Sequence, residues 1–485
     1  MRKLILLLIV LLCCVCCCSK TEQVKYPIDA DKSVYSLPEK MIFPDSSSMG
    51  LVIHSPFENT KDIGVEWVRI GNRWNFVEAK EGEFDWTEPD RIVDYYTQNG
   101  YKIMFVLGLE DMPQCYKDRK NDKDFIIERI GRFAKESAKH YKGKGFLWEI
   151  SNEPEVFPME GFMNDPVSYT KIARLCAKNI KNYDKSGKIA ACSVAWFDPG
   201  FLTACFENGL LKDGTVDCIS YHGYHRKDYL PESSLTEDIK WMRDACKKYS
   251  PKKYVSVVDS ERGFGILDGD SYQPRHKDNW RNFVTCQSAQ AAYLARHYLE
   301  EIYNQIELSV WYKDFHGETS YSLYKDGREQ GLSPMGYVYK NIAFLFDENP
   351  MKFVNDRIKY EILGVNSNKL IKRSYLKKNK DGNRLIVAMW NPVESFDGKI
   401  LEKRELQGDY FNETWRDVKP GDIVDVTASV TVQNAGNVRN VYVFDLLAKD
   451  SESGFKKADY ELQDGKLIIK DVTCNAMPAL VIIDM

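Results

Sequence analysis

Short apolar runs alternate with helix-like segments over the first two thirds of the chain. The segments between the runs, such as residues 125–141, place their apolar residues on one side of an amphipathic helix. Alternation of this kind is typical of a parallel sheet that is covered by helices on both faces. Eight of the runs have the length and composition of buried strands, at residues 49–54, 67–71, 102–109, 146–151, 188–195, 216–221, 254–259 and 307–311.

Eight strand–helix units predict a closed barrel. A (β/α)8 TIM barrel takes about 250 residues or more, and we assign residues 46–347 to this α/β fold. An open doubly wound sheet is the alternative. It is disfavoured because no G-x-G-x-x-G motif follows the first strand.

The pattern changes near residue 350, where helical spacing fades and strand-like runs recur. Turn residues such as those at 380–383 and 463–465 separate these runs. We expect residues 348–485 to form an antiparallel β-sandwich domain that is accessory to the barrel.

The N-terminus has the composition of an export signal. Two basic residues precede the apolar run 4–12, which is too short to span a bilayer. Cysteines follow at once, and this junction resembles the cleavage site of a bacterial lipoprotein. We expect residues 1–18 to be the signal peptide, with the lipid on Cys18, and residues 19–45 to be a tether.

Alternatives to this reading remain open. Cys16 or Cys17 could carry the lipid, and a plain cleaved signal is a further possibility. In each lipidated case the protein is predicted to be exported and anchored to a membrane of the bacterial envelope, facing the periplasm or the cell surface.

The charge balance excludes some partners. The net charge is −4, from 67 basic and 71 acidic residues, and no basic stripe is visible. We therefore expect no nucleic-acid partner. The seven histidines lack the spacing of metal ligands, so neither a metal nor a cofactor is predicted.

Two predicted strands end in a glutamate. The run 146–151 leads into Asn152, Glu153 and Pro154, and the run 254–259 leads into Glu261. The C-terminal ends of parallel barrel strands form one rim, where active sites lie. The two glutamates fall on the fourth and seventh strands, which face each other across that rim. Opposed carboxylates about 5–5.5 Å apart perform the double displacement of a retaining glycosidase.

The barrel region resembles the retaining glycoside hydrolases of clan A, and families 39 and 5 most closely. The segments that carry this resemblance are residues 62–69, 78–86, 148–154, 220–224 and 310–314, and the Asn-Glu-Pro at a strand end is the most specific of them.

The resemblance implies a role for each matching residue. Glu153 would be the acid/base and Glu261 the nucleophile, with Asn152 on the sugar 2-hydroxyl. Arg69 would keep a rim carboxylate ionised. Three further residues complete the predicted sugar site, His222 and Tyr224 as orienting groups and Trp311 as the floor beneath the ring.

Other side chains near the rim have alternative interpretations. His54, at the end of the first strand, is a further candidate for the sugar site. Asp259 is a rival nucleophile, but we expect it to face the opposite side of its strand. Glu149 is predicted to be a buried partner of Arg69.

These observations favour a retaining glycoside hydrolase that cleaves β-glycosidic bonds of a poly- or oligosaccharide. The alternative is a glycan-binding surface lipoprotein whose catalysis has lapsed. The presence of both glutamates favours the enzyme, and the sequence leaves the sugar and linkage open.

Overall fold

A computed structural model describes most of the chain. The described residues are 42–43, 48–53, 59–156, 164–224, 230–266, 283–284, 287–312, 321–325, 331–346, 359–364, 369–379, 382–393, 395–396, 399–407, 410–417, 425–433 and 437–485. Cys18, His54, the predicted signal peptide and nearly all of the tether lie outside them, as does the predicted boundary at residues 347 and 348. Among the described helices, we find none that combines the length and the hydropathy needed to cross a bilayer.

Eight parallel strands close into a barrel, as the sequence predicts. In space the strands follow the order 1-8-7-6-5-4-3-2, so each lies beside its neighbours in the chain and the eighth closes onto the first. Their bounds are Met49–Val52, Trp67–Arg73, Lys102–Gly108, Leu147–Ile150, Lys188–Val194, Cys218–His222, Ser256–Arg262 and Ser309–Trp311.

Helices cover the outside of the barrel. Several begin at an aspartate whose side chain accepts backbone N–H groups of the first turn, as Asp165 does from Val167 and Ser168. Proline then occupies the first helical position, where its missing N–H costs nothing. The described α-helices are Trp74–Val77, Thr87–Gln98, Lys123–His140, Pro166–Tyr183, Pro199–Glu207, Leu235–Tyr249, Gln287–Tyr303 and Pro334–Phe346.

Alternation along the strands decides which side chains enter the barrel. One cluster takes a residue from every strand and forms the interior layer: Val52, Trp67, Met104, Leu147, Ala190, Cys218, Val258, Leu308 and Val310. The residues between them pack outward against the helices. Residues that lie two positions beyond this layer, such as Glu149, therefore point to the same side and approach the rim.

Residues beyond 358 form antiparallel sheets, which confirms the predicted sandwich class. A four-stranded sheet contains Lys359–Leu363, Val426–Gln433, Lys466–Cys474 and Tyr460–Gln463. A five-stranded sheet contains Ile371–Asn379, Gly382–Trp390, Ala479–Asp484, Asn440–Phe444 and Phe455–Lys457. A smaller sheet pairs Ser395–Phe396, Lys399–Gln407 and Tyr410–Asp417, and the two-residue strands Gly265–Ile266 and Phe283–Val284 pair beside the barrel.

The five-stranded sheet is buried on both faces. Leu385, Val387 and Met389 pack against the four-stranded sheet. The intervening residues Ile386 and Ala388 join the core that the barrel helices form. The sandwich is thus packed onto the barrel, and Leu37–Met485 is one compact unit.

Candidate active site

The fourth strand ends in an unusual backbone turn. Ser151 and Glu153 have φ angles of 68° and 43°, in the left-handed region that non-glycine residues seldom adopt. The backbone N–H of Glu153 donates to the carbonyl oxygen of Ser193 at the end of the fifth strand, 2.9 Å away. This bond holds the strained turn, and strain of this kind is concentrated at functional sites.

The two predicted catalytic glutamates meet above the barrel. One oxygen of Glu153, one oxygen of Glu261 and a ring nitrogen of His222 all lie within 4.8 Å of one another. His222 Nδ1 is 2.7 Å from Glu153 Oε1 and 3.9 Å from Glu261 Oε1. The carboxylates are therefore closer than the 6.5–9.5 Å or so that inverting glycosidases need for an intervening water.

Arg69 organises the floor of the site with three separate nitrogens. Its Nε donates to Glu149 (2.7 Å), its Nη1 to Glu261 (2.8 Å) and its Nη2 to the side-chain oxygen of Asn152 (2.7 Å). Only 5% of Arg69 and none of Glu149 is exposed. Glu149 is thus the buried partner of Arg69, as the sequence predicts.

The charge of Arg69 overcomes the effect of burial on its neighbour. Burial alone would raise the pKa of Glu149, but the attraction of Arg69 together with that of His222 and a hydrogen bond from Ser260 lowers it. The side-chain oxygen of Asn152 accepts from Arg69, so the NH2 group of this cleft-lining residue is left to act as a donor.

Glu261 has a hydrogen-bond donor on each oxygen. Arg69 occupies Oε2, and the hydroxyl of Tyr224 donates to Oε1 over 3.1 Å. Burial and the negative charge of Glu261 raise the pKa of Tyr224, so the phenol keeps its proton. Both contacts fix the orientation of the Glu261 carboxylate.

His222 connects Glu153 to a residue that the sequence analysis missed. Its Nε2 is 3.1 Å from Ser193 Oγ, while its Nδ1 faces Glu153. Burial would lower the pKa of His222, but Glu261 and Glu153 together raise it. No motif marks Ser193, because its role depends on the contact between the fifth and sixth strands.

Glu155 is a second residue that the sequence analysis missed. Its Oε1 accepts the backbone N–H of Ala195 over 2.5 Å. Burial raises the pKa of Glu155 to about 7. A third carboxyl group therefore lies close to the Glu153 turn. The only signal for Glu155 in the sequence is its position, two residues after the glutamate of the Asn-Glu-Pro motif.

A cleft of about 1060 Å³ opens above these residues. It extends from the paired glutamates across the ends of the first three strands, where the exposed ring of Phe76 forms part of the wall. The residues that line the cleft around the paired glutamates are Arg69, Asn152, Glu153, Glu261 and Tyr312.

The predicted role of Trp311 is wrong. None of this side chain is exposed, and its ring packs 6.0 Å from the rings of Phe264 and Tyr298 in the outer core. Val310 belongs to the barrel interior, so alternation turns Trp311 outward and returns Tyr312 to the cleft.

Asp259 does face away from the cleft, and a bulge explains why Glu261, two residues later, does not share its face. Residues two apart, such as Asp259 and Glu261, share a face in a regular strand. Here the consecutive residues Tyr221 and His222 pair with Asp259 and Glu261, so Ser260 is an extra residue. Asp259 points outward because its neighbour Val258 lies in the barrel interior, and the bulge after it turns Glu261 into the cleft.

Two clusters of described residues have ligand atoms close enough to hold a metal. One is Glu153, His222 and Glu261, and the other is Asp259, His297 and Glu301. In the first cluster the ligand atoms are engaged with one another, with Arg69 and with Tyr224. That no metal takes part stays a prediction.

Comparison with known proteins gives a partial match in sequence. Residues 65–170 match the model of glycosyl hydrolase family 10. Over 84 residues the chain is 31% identical to a β-1,4-xylanase of Dictyoglomus thermophilum, which covers 17% of this chain and 23% of that protein. The chain therefore matches less than a quarter of the length of this relative.

Solved structures with the same architecture span nearly the whole chain. A family 39 glycoside hydrolase from Bacteroides cellulosilyticus has a TM-score of 0.59 at 14% identity, covering 90% of this chain and 81% of that one. A glucosidase from Croceicoccus marinus has a TM-score of 0.55 at 11% identity, covering 91% and 96%. A family 39 β-xylosidase from Caulobacter crescentus has 0.50 at 12%, covering 91% and 97%.

These likenesses agree with the barrel and the rim described above. At such low identities the solved structures establish the fold alone, which is a (β/α)8 TIM barrel followed by antiparallel β-sheets. Together with the family-model match, they confirm the resemblance to clan A glycoside hydrolases that the sequence predicts.

Proposed function

We propose that this protein is a retaining glycoside hydrolase that cleaves β-glycosidic bonds of a poly- or oligosaccharide. The observation that carries the proposal is the approach of Glu153 and Glu261, whose carboxylate oxygens lie within 4.8 Å of each other at the cleft floor. That separation supports double displacement, because it leaves no room for a water between the carboxylates and the sugar.

The surroundings of the two carboxylates support different roles. Glu261 is held on one oxygen by the cation of Arg69 and on the other by Tyr224, which suits a nucleophile that must be aimed at the anomeric carbon. Glu153 contacts His222 and not Arg69, which suits a group that carries a proton in one half of the cycle.

The reaction then has two balanced steps. Glu261 attacks the anomeric carbon while the bond to the leaving oxygen breaks, and Glu153 gives that oxygen its proton. In the second step Glu153 takes a proton from water, the water oxygen attacks the anomeric carbon, and the Glu261 carboxylate is released. The NH2 group of Asn152 would donate to the sugar 2-hydroxyl during both steps.

The cleft supports a substrate with more than one sugar ring. Its volume of about 1060 Å³ exceeds what a single ring fills, and it extends toward the exposed ring of Phe76. Aryl β-xylosides and xylo-oligosaccharides are reasonable first substrates to test, since one relative is named a β-1,4-xylanase and one structural neighbour a β-xylosidase.

A lapsed glycan-binding protein is the less favoured function. Loss of catalysis would remove the need for the contacts that hold the two glutamates. In this chain Arg69, His222 and Tyr224 all still contact them.

A leaving-group experiment tests the proposed acid. Glu153→Ala should slow aryl glycosides with poor leaving groups far more than those with good ones, and azide should restore turnover of the latter. Glu207→Ala, an exposed acid on an outer helix, serves as the control. An equal loss with both classes of substrate would remove Glu153 from the acid role.

We also propose that a lipid on Cys18 anchors the protein in the bacterial envelope, where it would meet extracellular or periplasmic glycans. The support is the N-terminal sequence alone. Cys18→Ala should release the protein from the membrane fraction. An unchanged membrane fraction would reject Cys18 as the lipidated residue, and the same measurement on Cys16→Ala and Cys17→Ala would test the alternatives.

A further inference from the structure

Asp259 lies behind the proposed nucleophile, where no substrate can reach it. None of its surface is exposed. A single oxygen, Oδ1, accepts the backbone N–H of Gly223 over 3.0 Å and that of Glu261 over 3.3 Å. Gly223 stands between His222 and Tyr224 in the chain. One carboxylate oxygen therefore joins the nucleophile to the loop that carries its two neighbours.

The contact between these segments is tight. Gly223 N–H is also 3.1 Å from the carbonyl oxygen of Glu261, so the two strand ends are joined at two points. A side chain at position 223 would collide with Oδ2 of Asp259, which explains the glycine there. The Asp259 carboxyl group thus packs directly against the backbone of Gly223.

The far side of Asp259 is held by a helix and by its own strand. His297 Nε2, on the helix Gln287–Tyr303, is 3.4 Å from Asp259 Oδ2 and 3.2 Å from Glu301 Oε2. Tyr221 of the sixth strand reaches Glu301 over 3.4 Å. Arg262, also buried, stacks 3.6 Å from the ring centre of Phe264. Asp259 therefore has its buried neighbours on the side of Oδ2, and its hydrogen bonds to backbone N–H groups are made by Oδ1.

We infer that Asp259 is a positioning residue, which fixes the backbone of Glu261 and Gly223 and so directs the nucleophile at the sugar. The effect on turnover rests on the proposed function, whereas the effect on the two backbone N–H groups does not. A purely structural role would require only that Asp259 be buried and neutralised by its partners.

The experiment compares three variants of the full chain. Asp259→Ala removes the acceptor oxygen. Asp259→Asn keeps an oxygen for the two N–H groups and turns its NH2 toward Glu301. Glu301→Gln alters the same buried cluster but contacts neither N–H. Should the alanine variant fail to fold, Asp259→Leu keeps the volume of the side chain and likewise lacks an acceptor.

Hydrogen exchange of peptides that cover residues 221–224 and 257–262 gives a readout that does not depend on activity. We expect Asp259→Ala or Asp259→Leu to speed exchange at these two amides by about tenfold or more, with wild-type protection in Asp259→Asn and Glu301→Gln. Full protection in the alanine or leucine variant, or equal loss in Glu301→Gln, would overturn the inference.

Kinetics on an aryl β-glycoside gives the second readout. A nucleophile displaced by about 1 Å loses on the order of 100-fold in rate, so kcat should fall by that factor in Asp259→Ala while KM changes little. Asp259→Asn should restore most of kcat. A wild-type protein without activity on any glycoside would refute the proposed function, and hydrogen exchange would still decide the role of Asp259.

Discussion

At the scale of single residues, the site depends on groups that serve several partners at once. Arg69 uses three nitrogens for three residues at the ends of the fourth and seventh strands, and His222 uses both ring nitrogens. Such residues set the relative positions of Glu149, Asn152 and Glu261. Their replacement should therefore affect the chemistry more than the loss of one hydrogen bond would suggest.

Arg69→Lys tests this at the centre of the network. An ammonium group keeps the charge but cannot reproduce the fork of guanidinium donors, so Glu261 and Asn152 lose their fixed partner. We expect kcat on aryl glycosides to fall on the order of 100-fold, measured well below the unfolding temperature. Arg174→Lys, whose ion pair with Asp213 joins an outer helix to a turn outside the barrel, should leave kcat unchanged. Retention of wild-type kcat by Arg69→Lys would contradict the network.

Most of the predicted site residues lie in or just after strands whose alternation of apolar and polar residues is visible in the sequence. The orientations of Arg69 and Glu149 follow from alternation in the runs that contain them, whereas Glu261 reaches the cleft through the bulge at Ser260. Ser193 and Glu155 could not be predicted, because each acts through a contact with another strand. Trp311 was misplaced because its strand has three residues, too few for alternation to indicate which face is inward.

At the scale of elements, the lengths of the apolar runs were enough to predict all eight barrel strands. The bulge at Ser260 and the left-handed residues at the end of the fourth strand could not be predicted. Both are imposed by tertiary contacts, namely the pairing of His222 with Glu261 and the bond from Glu153 N–H to Ser193. Local sequence preference at these positions would favour a regular strand.

The packing of the helix Gln287–Tyr303 on the seventh strand gives a pH-dependent prediction. Burial raises the pKa of Asp259 to about 8 and that of Glu301 to about 7, from ordinary values of 3.8 and 4.5. Between roughly pH 4 and pH 8 the folded state therefore binds more protons than the unfolded state, and its stability falls as pH rises. His297 and Arg262 are the neighbouring basic groups.

Glu301→Gln should reduce this dependence, because glutamine cannot ionise. We expect the difference in Tm, variant minus wild type, to increase as the pH is raised from 5 to 8. Thermal unfolding at several pH values measures the difference. Glu237→Gln, on an outer helix, controls for general charge effects. A constant difference in Tm across this range would contradict the raised pKa values.

At the scale of the whole molecule, the sandwich and the barrel share one apolar core. Ile386 and Ala388 of the five-stranded sheet lie in the cluster that the barrel helices build. Asn341, on the helix Pro334–Phe346, adds polar contacts across the same junction. Its Nδ2 donates to the carbonyl oxygens of Leu446 and Ala448, both at 2.8 Å, and its Oδ1 accepts from Ser451. We therefore expect the two parts to unfold together.

Asn341→Ala tests that coupling. The substitution leaves buried carbonyl oxygens without a donor, which should lower the free energy of unfolding by about 2–3 kcal/mol. Urea unfolding followed by tryptophan fluorescence should shift as a single transition. Asn208→Ala, at an exposed helix end, should change it little. Two separate transitions, with only one displaced, would show that the sandwich and barrel unfold independently.

The proposed double-displacement mechanism depends on Glu261 forming a covalent bond to the sugar. A 2-deoxy-2-fluoro aryl β-glycoside slows the release of that intermediate enough for peptide mass spectrometry to locate it. We predict a single labelled peptide with the sugar on Glu261, and faster recovery of activity when an acceptor glycoside is added. A label on Asp259 or another carboxylate, or turnover of substrate with inversion and no label, would contradict the account.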